Sequence, residues 1–334
     1  MDIFSWIAEE LRPEVRTTAE LLYDGMASQS GGRLPIIYLP FDAGDVGHWC
    51  DRGSAMDFAL STQCQGRRVL DFGPGDGWPS LLLAPFAGEV VGVDGSPRRV
   101  AVCAENAARL GIANASFRHV APGAPLPFDD GSFDAIVAAT SVEQTPNPRA
   151  TLAEFHRVLR PGGRLRLSYE ALGRYRGGEE REAWLLELDH DHTRLFLYDR
   201  AIDEEQVLQM AVTFRLSSIE VARALGGDGD TLTLAAITVD SLARLLPAII
   251  DTGACTTRHP SCGTWMRWLS EVGFSQVLPT HSGAEIAGRV FGTFSEDERP
   301  DTLERIDAYL RPIVAVAVEL SAPAEIDPMI TAVK

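Results

Sequence analysis

Apolar and polar positions follow two different periods along residues 65–172. Short runs rich in apolar and β-branched residues predict buried strands, whereas residues 97–110 and 149–159 repeat apolar side chains at the spacing of a helix face. The predicted strands are 68–72, 89–93, 115–120, 135–139 and 164–169. Strands that alternate with helices in this way predict a parallel sheet with right-handed crossovers and helices on both faces.

The alternation stops after residue 172. Residues 183–188 and 193–198 predict two short strands joined by a polar turn, and residues 239–250 predict a helical segment. We therefore expect an inserted α+β subdomain at 173–262, which serves as a lid or as a dimerisation surface. The remaining elements are predicted helices at 264–272, 286–294 and 303–318 and strands at 274–278 and 329–334.

The first 64 residues form a segment of different character. Ile3, Trp6, Ile7 and Leu11 share one face of a predicted helix, and a loop is predicted at 28–51. This loop is expected either to cover the functional site or to pack beside the sheet. The predicted organisation is an N-terminal helical segment and cover loop at 1–64, a core at 65–172, the insert at 173–262, and the C-terminal completion of the core sheet at 263–334.

Composition narrows the class of protein. The chain has 334 residues, and 45% of them are hydrophobic, which suffices for a sizeable core. A formal net charge of −17 argues against a nucleic-acid or anionic-membrane partner, because lysine and arginine drive binding to phosphates. There is no apolar run of ~18 residues and no signal-peptide pattern, so we expect a cytoplasmic protein without a membrane partner. Five irregularly spaced cysteines do not predict a disulfide framework.

Candidate chemistry is concentrated in residues 69–94. A predicted strand leads into three glycines at alternate positions, Gly73, Gly75 and Gly77, which we call the glycine loop (residues 73–77). The next predicted strand ends at Asp94, and an acidic residue at that strand end can bind the two hydroxyls of a ribose. A dinucleotide fingerprint would need glycine where Trp78 stands, and no P-loop lysine is present.

Two further motifs follow in order. Residues 126–134 have the sequence LPFDDGSFD, and residues 152–165 have the sequence LAEFHRVLRPGGRL. Together with the glycine loop, they resemble class I S-adenosylmethionine-dependent methyltransferases of the type 11 subgroup, which includes quinone-biosynthesis C-methyltransferases. The resemblance covers residues 67–169. It implies an α/β fold with a Rossmann-like seven-stranded sheet, in which strand seven is antiparallel and lies between strands five and six.

The resemblance also implies S-adenosylmethionine as cofactor and assigns residues to it. Residues around the glycine loop would hold its methionine part, Asp94 its ribose, the residues after Asp94 its adenine, and the end of strand four its sulfonium. The residues so assigned are Asp71, Phe72, Gly73, Pro74, Gly75, Gly77, Asp94, Gly95, Ser96, Ala121, Pro122, Ala139 and Thr140. Ala121 and Pro122 depart from the family, in which an aspartate at this place reads the adenine amino group.

The acceptor is expected to be a small molecule methylated at oxygen, nitrogen or carbon by in-line displacement. If a proton must be removed, the candidates for the base are Glu143, which follows strand four, and Tyr38 and His48, if the N-terminal loop covers the site. Glu143 is equally consistent with a solvent-facing helix start. A carbon or sulfur acceptor that is already nucleophilic needs no base.

Two alternatives remain from the sequence. Cys255, His259 and Cys262 have soft-ligand side chains, which would suit a metalloid or thiol S-methyltransferase, although their spacing matches no familiar zinc site and no bound metal is predicted. A non-catalytic relative acting as an assembly partner is the second alternative, motivated by Ala121, Pro122 and the insert. A homodimer through the insert is a further expectation.

Overall fold

The computed structural model describes residues 2–17, 41–169, 181–203, 206–227, 232–326 and 328–334. The chain divides into two compact units. The small unit consists of Met1–Leu22 and Ala171–Pro260, and the large unit consists of Tyr23–Glu170 and Ser261–Lys334. Among the described residues, no helix combines the length and the apolar character needed to cross a membrane.

The strands of the described residues follow the chain in a regular order. They are β1 (Val15–Thr17), β2 (Arg68–Phe72), β3 (Glu89–Asp94), β4 (Ala115–His119), β5 (Phe133–Ala139), β6 (Leu159–Ser168), β7 (Arg181–Asp189), β8 (His192–Asp203), β9 (Gln206–Phe214), β10 (Ile249–Thr257), β11 (Ser275–Thr280) and β12 (Met329–Val333).

The α-helices are numbered in the same way, and short 3₁₀ turns lie between some of them. They are α1 (Ile3–Trp6), which continues as a π-helical turn at Ile7–Leu11, α2 (Val46–Ser61), α3 (Ser80–Leu83), α4 (Pro97–Arg109), α5 (Pro148–Val158), α6 (Ser218–Ala224), α7 (Val239–Arg244), α8 (Cys262–Glu271), α9 (Gly283–Phe291) and α10 (Leu303–Ala317).

The large unit contains a seven-stranded sheet in the order β11-β12-β6-β5-β2-β3-β4. Strands β4, β3, β2, β5 and β6 are parallel to one another. The last strand, β12, is antiparallel to both β6 and β11 and lies between them. The predicted fold, including the antiparallel position of the final strand, is therefore confirmed.

Helices cover both faces of this sheet, because its central strands are apolar on both sides. On one face, Ile136 and Leu165 pack with Phe155 of α5 and Trp265 of α8. On the other face, residues such as Val137 pack with α2 and α3. A parallel sheet buried on both faces keeps the carboxyl ends of β2, β3 and β5 together at one edge, which is where ligands bind in such folds.

The small unit is built on a five-stranded sheet in the order β1-β10-β9-β8-β7. Only the pairing of β1 with β10 is parallel, and the remaining pairs are antiparallel. Its core combines apolar residues of α1, the sheet, α6 and α7, including Phe4, Leu195, Phe214, Val221 and Leu242. The apolar runs of the sequence predicted β7 and β8 but not β9 or β10.

Three sequence-based assignments differ from the structure. Residues 1–22 group with the insert rather than with residues 23–64, since β1 pairs with β10 and α1 packs into the same core. The predicted loop at 28–51 ends earlier, because Asp45 caps the start of α2 by accepting from the Gly47 N–H. The helix predicted at 239–250 ends at Arg244, and Ile249 begins β10.

Candidate functional site

The glycine loop joins the end of β2 to α3, and its glycines meet two different structural requirements. A β-carbon on Gly73 would lie 2.5 Å from the Ser141 side chain, and one on Gly77 would lie 2.5 Å from Leu81. Gly75 has a φ of +59° but no heavy atom within 4 Å of such a β-carbon. The backbone at Gly75 thus faces open space, where a ligand can approach it closely.

Asp94, at the end of β3, holds this loop from the side. Its two carboxylate oxygens accept hydrogen bonds from the backbone N–H of Ser96 at 2.8 Å and of Gly75 at 3.3 Å. Burial raises the pKa of the Asp94 carboxyl group, and the two N–H donors oppose that rise. The side chain is 7% exposed, so it combines a fixed position with access from the cavity described next.

A cavity of about 740 Å³ lies at the carboxyl edge of the sheet in the large unit, and we call it the loop cavity. Its size is in the range of small-molecule sites. The predicted cofactor residues that line it are Phe72, Gly73, Pro74, Gly75, Asp94, Gly95, Ala121, Pro122, Ala139 and Thr140. These residues come from the ends of four neighbouring strands, β2, β3, β4 and β5, so the topology alone brings them together.

Three predicted cofactor residues are not on the cavity wall. Asp71 is fully buried and accepts a hydrogen bond from the Ser80 hydroxyl, and burial raises its pKa to about 7. Gly77 packs against Leu81. Ser96 caps α4 by accepting from the Arg99 N–H, while its own N–H donates to Asp94. All three stabilise the glycine loop or the segments next to it and do not themselves line the cavity.

Neither of the two described candidates for a catalytic base lines this cavity. Glu143 lies in the 3₁₀ turn Val142–Gln144 and is buried, and it is not one of the residues that line the cavity. His48 lies in the first turn of α2, where its Nδ1 accepts from the Asp42 N–H at 2.9 Å. It is also absent from the described cavity wall. Tyr38 lies outside the described residues.

The cysteines that suggested a soft-metal site belong to different units. Cys255 is a buried residue of β10 in the small unit, where burial raises the pKa of its thiol to about 11. Cys262 begins α8 in the large unit, and its Sγ lies 3.8 Å from the sulfur of Met266. Within the described ranges, no group of three or more His, Cys, Asp or Glu side chains is arranged to hold a metal ion.

Several residues of the cavity wall were not predicted from the sequence. Arg99, near the start of α4, forms an ion pair with Asp76 of the glycine loop. Gln144 donates to the Thr140 carbonyl at 2.7 Å, and Thr140 has a φ of +47°, which is unusual for a residue with a side chain. The sequence signal available for Arg99 was a basic residue in the first turn of a predicted helix. The contact of Arg99 with Asp76 becomes visible only in the structure.

The two later motifs are joined by one side chain, Arg157. It donates to the carbonyls of Leu126 at 2.9 Å and Phe128 at 2.8 Å, and it also pairs with Glu154 and Asp130. Glu154 in turn accepts from the Leu126 N–H at 2.8 Å. The segment after β4 is thereby fixed to α5, which explains physically why these two motifs occur together in one sequence.

Comparisons with known proteins agree with this geometry. Residues 70–167 match the family profile of the type 11 methyltransferase domain. An arsenite methyltransferase of Aquipseudomonas alcaligenes is 40% identical over 119 residues, which are 33% of this chain and 34% of that protein. A demethylmenaquinone methyltransferase of Thermus thermophilus is 38% identical over 117 residues, which are 34% of this chain and 51% of that protein.

Among solved structures, the CcbJ methyltransferase of Streptomyces caelestis aligns over 95% of this chain and 97% of its own, with a TM-score of 0.50 and 14% identity. At that identity the likeness concerns the fold alone. The chain spans about a third to a half of the length of the two curated relatives. The family match, the glycine loop and the sheet order identify residues 70–167 as a class I methyltransferase domain of the type 11 subgroup, with S-adenosylmethionine as its cofactor.

Proposed function

We propose that this protein transfers a methyl group from S-adenosylmethionine to a small-molecule acceptor. The observation that carries the proposal is the open space above Gly75, at a backbone position with positive φ on the wall of the loop cavity. A loop that needed only to turn would not require an empty cavity there. A ligand that lies against the backbone does require it.

The residues present fit this cofactor. Asp94 offers carboxylate oxygens at the cavity wall for the two ribose hydroxyls, and its position is fixed by two backbone hydrogen bonds. Apolar residues after β4, such as Ala121 and Pro122, offer a surface for a planar base.

The chemistry sets modest demands on the protein. Bound S-adenosylmethionine supplies a methyl group on a positively charged sulfur, which the lone pair of an acceptor displaces in line. The protein has to hold the acceptor in line with that methyl group and to exclude water. We assign the sulfonium side of the cavity to Ala139 and Thr140, as the resemblance implies, and the Gln144–Thr140 hydrogen bond supports the unusual backbone there.

The charged residues of the described cavity wall favour a mechanism in which the protein positions the acceptor over one in which it removes a proton from the acceptor. They are Asp76, Asp94, Arg99 and Glu154. Asp76 is paired with Arg99, Asp94 accepts from two backbone N–H groups, and Glu154 is paired with Arg157. These contacts favour an acceptor whose attacking atom is nucleophilic without help from this wall. A metalloid acceptor bound by Cys255 and Cys262 gains no support from the geometry, since the two belong to different units.

Calorimetric titration with S-adenosylhomocysteine tests the proposal, with Gly75→Ala as the variant and Gly111→Ala as its matched control. Both glycines have positive φ, +59° and +68°, and no atom within 4 Å of an added β-carbon, so both changes introduce similar backbone strain. Only Gly75 faces the loop cavity. We expect the affinity to fall at least tenfold in Gly75→Ala and to stay near wild type in Gly111→Ala.

Three results would count against the proposal. A wild-type protein that binds no S-adenosylhomocysteine at millimolar concentration would remove the cofactor site. Equal affinities in both variants would show that the ligand does not lie against Gly75. If the cofactor binds but a methyl-labelled form transfers no label to any component of a small-molecule extract, a non-catalytic assembly role becomes the better explanation.

A further inference from the structure

Arg99 occupies a position on the cavity wall that is unfavourable for an arginine. It is the third residue of α4, where the positive end of the helix dipole disfavours a cation. Its side chain is only 15% exposed, although arginine is mostly exposed in proteins. Its Nε is buried and has no hydrogen-bond partner within the described residues. Placing Arg99 here costs free energy, so a compensating interaction is expected.

The ion pair with Asp76 provides part of that compensation. It engages Nη1 at the edge of the guanidinium group and fixes the group on the wall of the loop cavity. An arginine held at its edge is suited to stack the planar face of its guanidinium on an aromatic ring, an arrangement that lysine cannot reproduce.

The glycine loop has other contacts that hold it in place. Asn106 donates to the Asp76 carbonyl at 2.8 Å, and the Cys103 thiol donates to the Gly75 carbonyl at 3.1 Å. The Gly75 N–H donates to Asp94 at 3.3 Å. These three hydrogen bonds do not involve the Arg99 side chain, so the glycine loop does not depend on Arg99 alone. A role toward a bound ligand is therefore the better explanation of its position.

The segment after β4 offers no polar side chain to such a ligand. Residues 120–125, with the sequence VAPGAP, all line the cavity and carry no polar side chain. Its two prolines also have no N–H to donate. The polar edge of a purine would find no side-chain acceptor on this part of the wall.

We propose that Arg99 binds the purine of the cofactor by stacking its guanidinium on the ring, in place of an acidic side chain that reads the purine amino group. This inference rests on the proposed function. It makes Arg99 a specificity-determining residue that acts on the face of the base. Recognition through the face tolerates changes at the amino edge of the purine.

The test compares two ligands that differ by the purine. S-adenosylhomocysteine carries the base, and S-ribosylhomocysteine lacks it but retains the ribose and the amino-acid part. We expect Arg99→Ala to weaken S-adenosylhomocysteine binding by roughly 3- to 30-fold, the range of a partly desolvated cation–π contact. In competition experiments at millimolar concentration, Arg99→Ala should bind S-ribosylhomocysteine with an affinity within twofold of that of the wild-type protein. Arg99→Lys should lose most of the S-adenosylhomocysteine affinity that Arg99→Ala loses, because the lysine ammonium group carries the charge but is not planar.

Asp76→Asn separates direct binding from loop support, because it weakens the ion pair while leaving the guanidinium in place. We expect a smaller loss of S-adenosylhomocysteine affinity than in Arg99→Ala. Equal losses for both ligands in Arg99→Ala, or no loss for either, would overturn the role of Arg99 and leave the cofactor site standing. Failure of the wild-type protein to bind S-adenosylhomocysteine would overturn the proposed function together with this inference.

Discussion

At the scale of one residue, Asp71 shows how a buried side chain next to the glycine loop is stabilised. The side chain is fully buried, one of its oxygens accepts from the Ser80 hydroxyl, and the other has no hydrogen-bond partner in the described part of the chain. Burial without full compensation favours the protonated acid, which is why the pKa of Asp71 rises from 3.8 to about 7.

The shift predicts a specific pH dependence of stability. Between pH 3.8 and about 7 the folded protein retains a proton on Asp71 that the unfolded chain has lost, so this group makes stability fall as pH rises through that window. A difference of about three pKa units corresponds to roughly 4 kcal/mol. We expect Asp71→Asn to remove this decline. Urea unfolding of both proteins between pH 4 and pH 8 measures it, and parallel pH profiles would contradict it.

At this scale the sequence predicted the residues that a motif fixes and missed those that depend on long-range contacts. Gly75 and Asp94 stand at motif positions, so their place on the cavity wall follows from the ends of adjacent strands. Glu143 also follows a strand, but the pattern does not say which side chains of a 3₁₀ turn face inward. Its neighbours Ser141 and Gln144 line the cavity instead. Arg99 gains its role from Asp76, and no local pattern shows that pairing.

At the scale of elements, α2 and α9 cross at two glycines. A β-carbon on Gly53 would lie 2.2 Å from the Gly283 carbonyl oxygen and 2.6 Å from the Ala287 β-carbon. A β-carbon on Gly283 would lie 2.5 Å from the Gly53 carbonyl oxygen. The two backbones therefore approach so closely that each position excludes a side chain.

Gly53→Ala is expected to destabilise the large unit by about 1–3 kcal/mol or more, the cost of overpacking a close contact. The same change at Gly263, in α8, is the control, because the nearest atom to its added β-carbon is 3.9 Å away. Alanine there should be neutral or stabilising by up to ~1 kcal/mol through helix propensity. Denaturant midpoints measure both effects, and similar midpoints for the two variants would show that α2 and α9 can move apart freely.

The elements of the core sheet were predictable because each strand or helix has one clear period. The small unit was harder, since β9 and β10 mix apolar and polar residues without strict alternation. Residues 239–250 keep an apolar character beyond Arg244, although Pro247 lies within the segment, so periodicity alone extended the helix into β10. Helix and strand cannot be separated by hydrophobicity alone in such short runs.

At the scale of the whole molecule, segments distant in sequence depend on one another. Residues 1–22 and the insert form the small unit through the pairing of β1 with β10, which no local pattern predicts. A homodimer through the insert stays a prediction. The large unit is likewise assembled from an N-terminal helix, the central motif region and the C-terminal strands.

One buried ion pair joins those three parts of the large unit. Arg166 of β6 donates through Nε and Nη2 to the two carboxylate oxygens of Asp57 in α2, each at 2.8 Å, and both side chains are at most 1% exposed. Arg166 also donates to the Thr331 hydroxyl at 3.0 Å in β12 and to the Thr280 hydroxyl in β11. Asp57 accepts from the Gly283 N–H at 2.6 Å.

Removing the charge of Asp57 should therefore loosen the whole large unit. Asp57→Asn leaves the Arg166 cation buried without a counter-charge, and breaking such a pair costs about 3–5 kcal/mol. Glu319→Gln is the control, because Arg164, two residues away in β6, pairs at 2.8 Å with a Glu319 side chain that is 53% exposed. Exposed pairs contribute at most ~1 kcal/mol. Urea unfolding followed by tryptophan fluorescence should show a large shift for Asp57→Asn alone, whereas equal small shifts would mean that the buried pair does not hold these segments together.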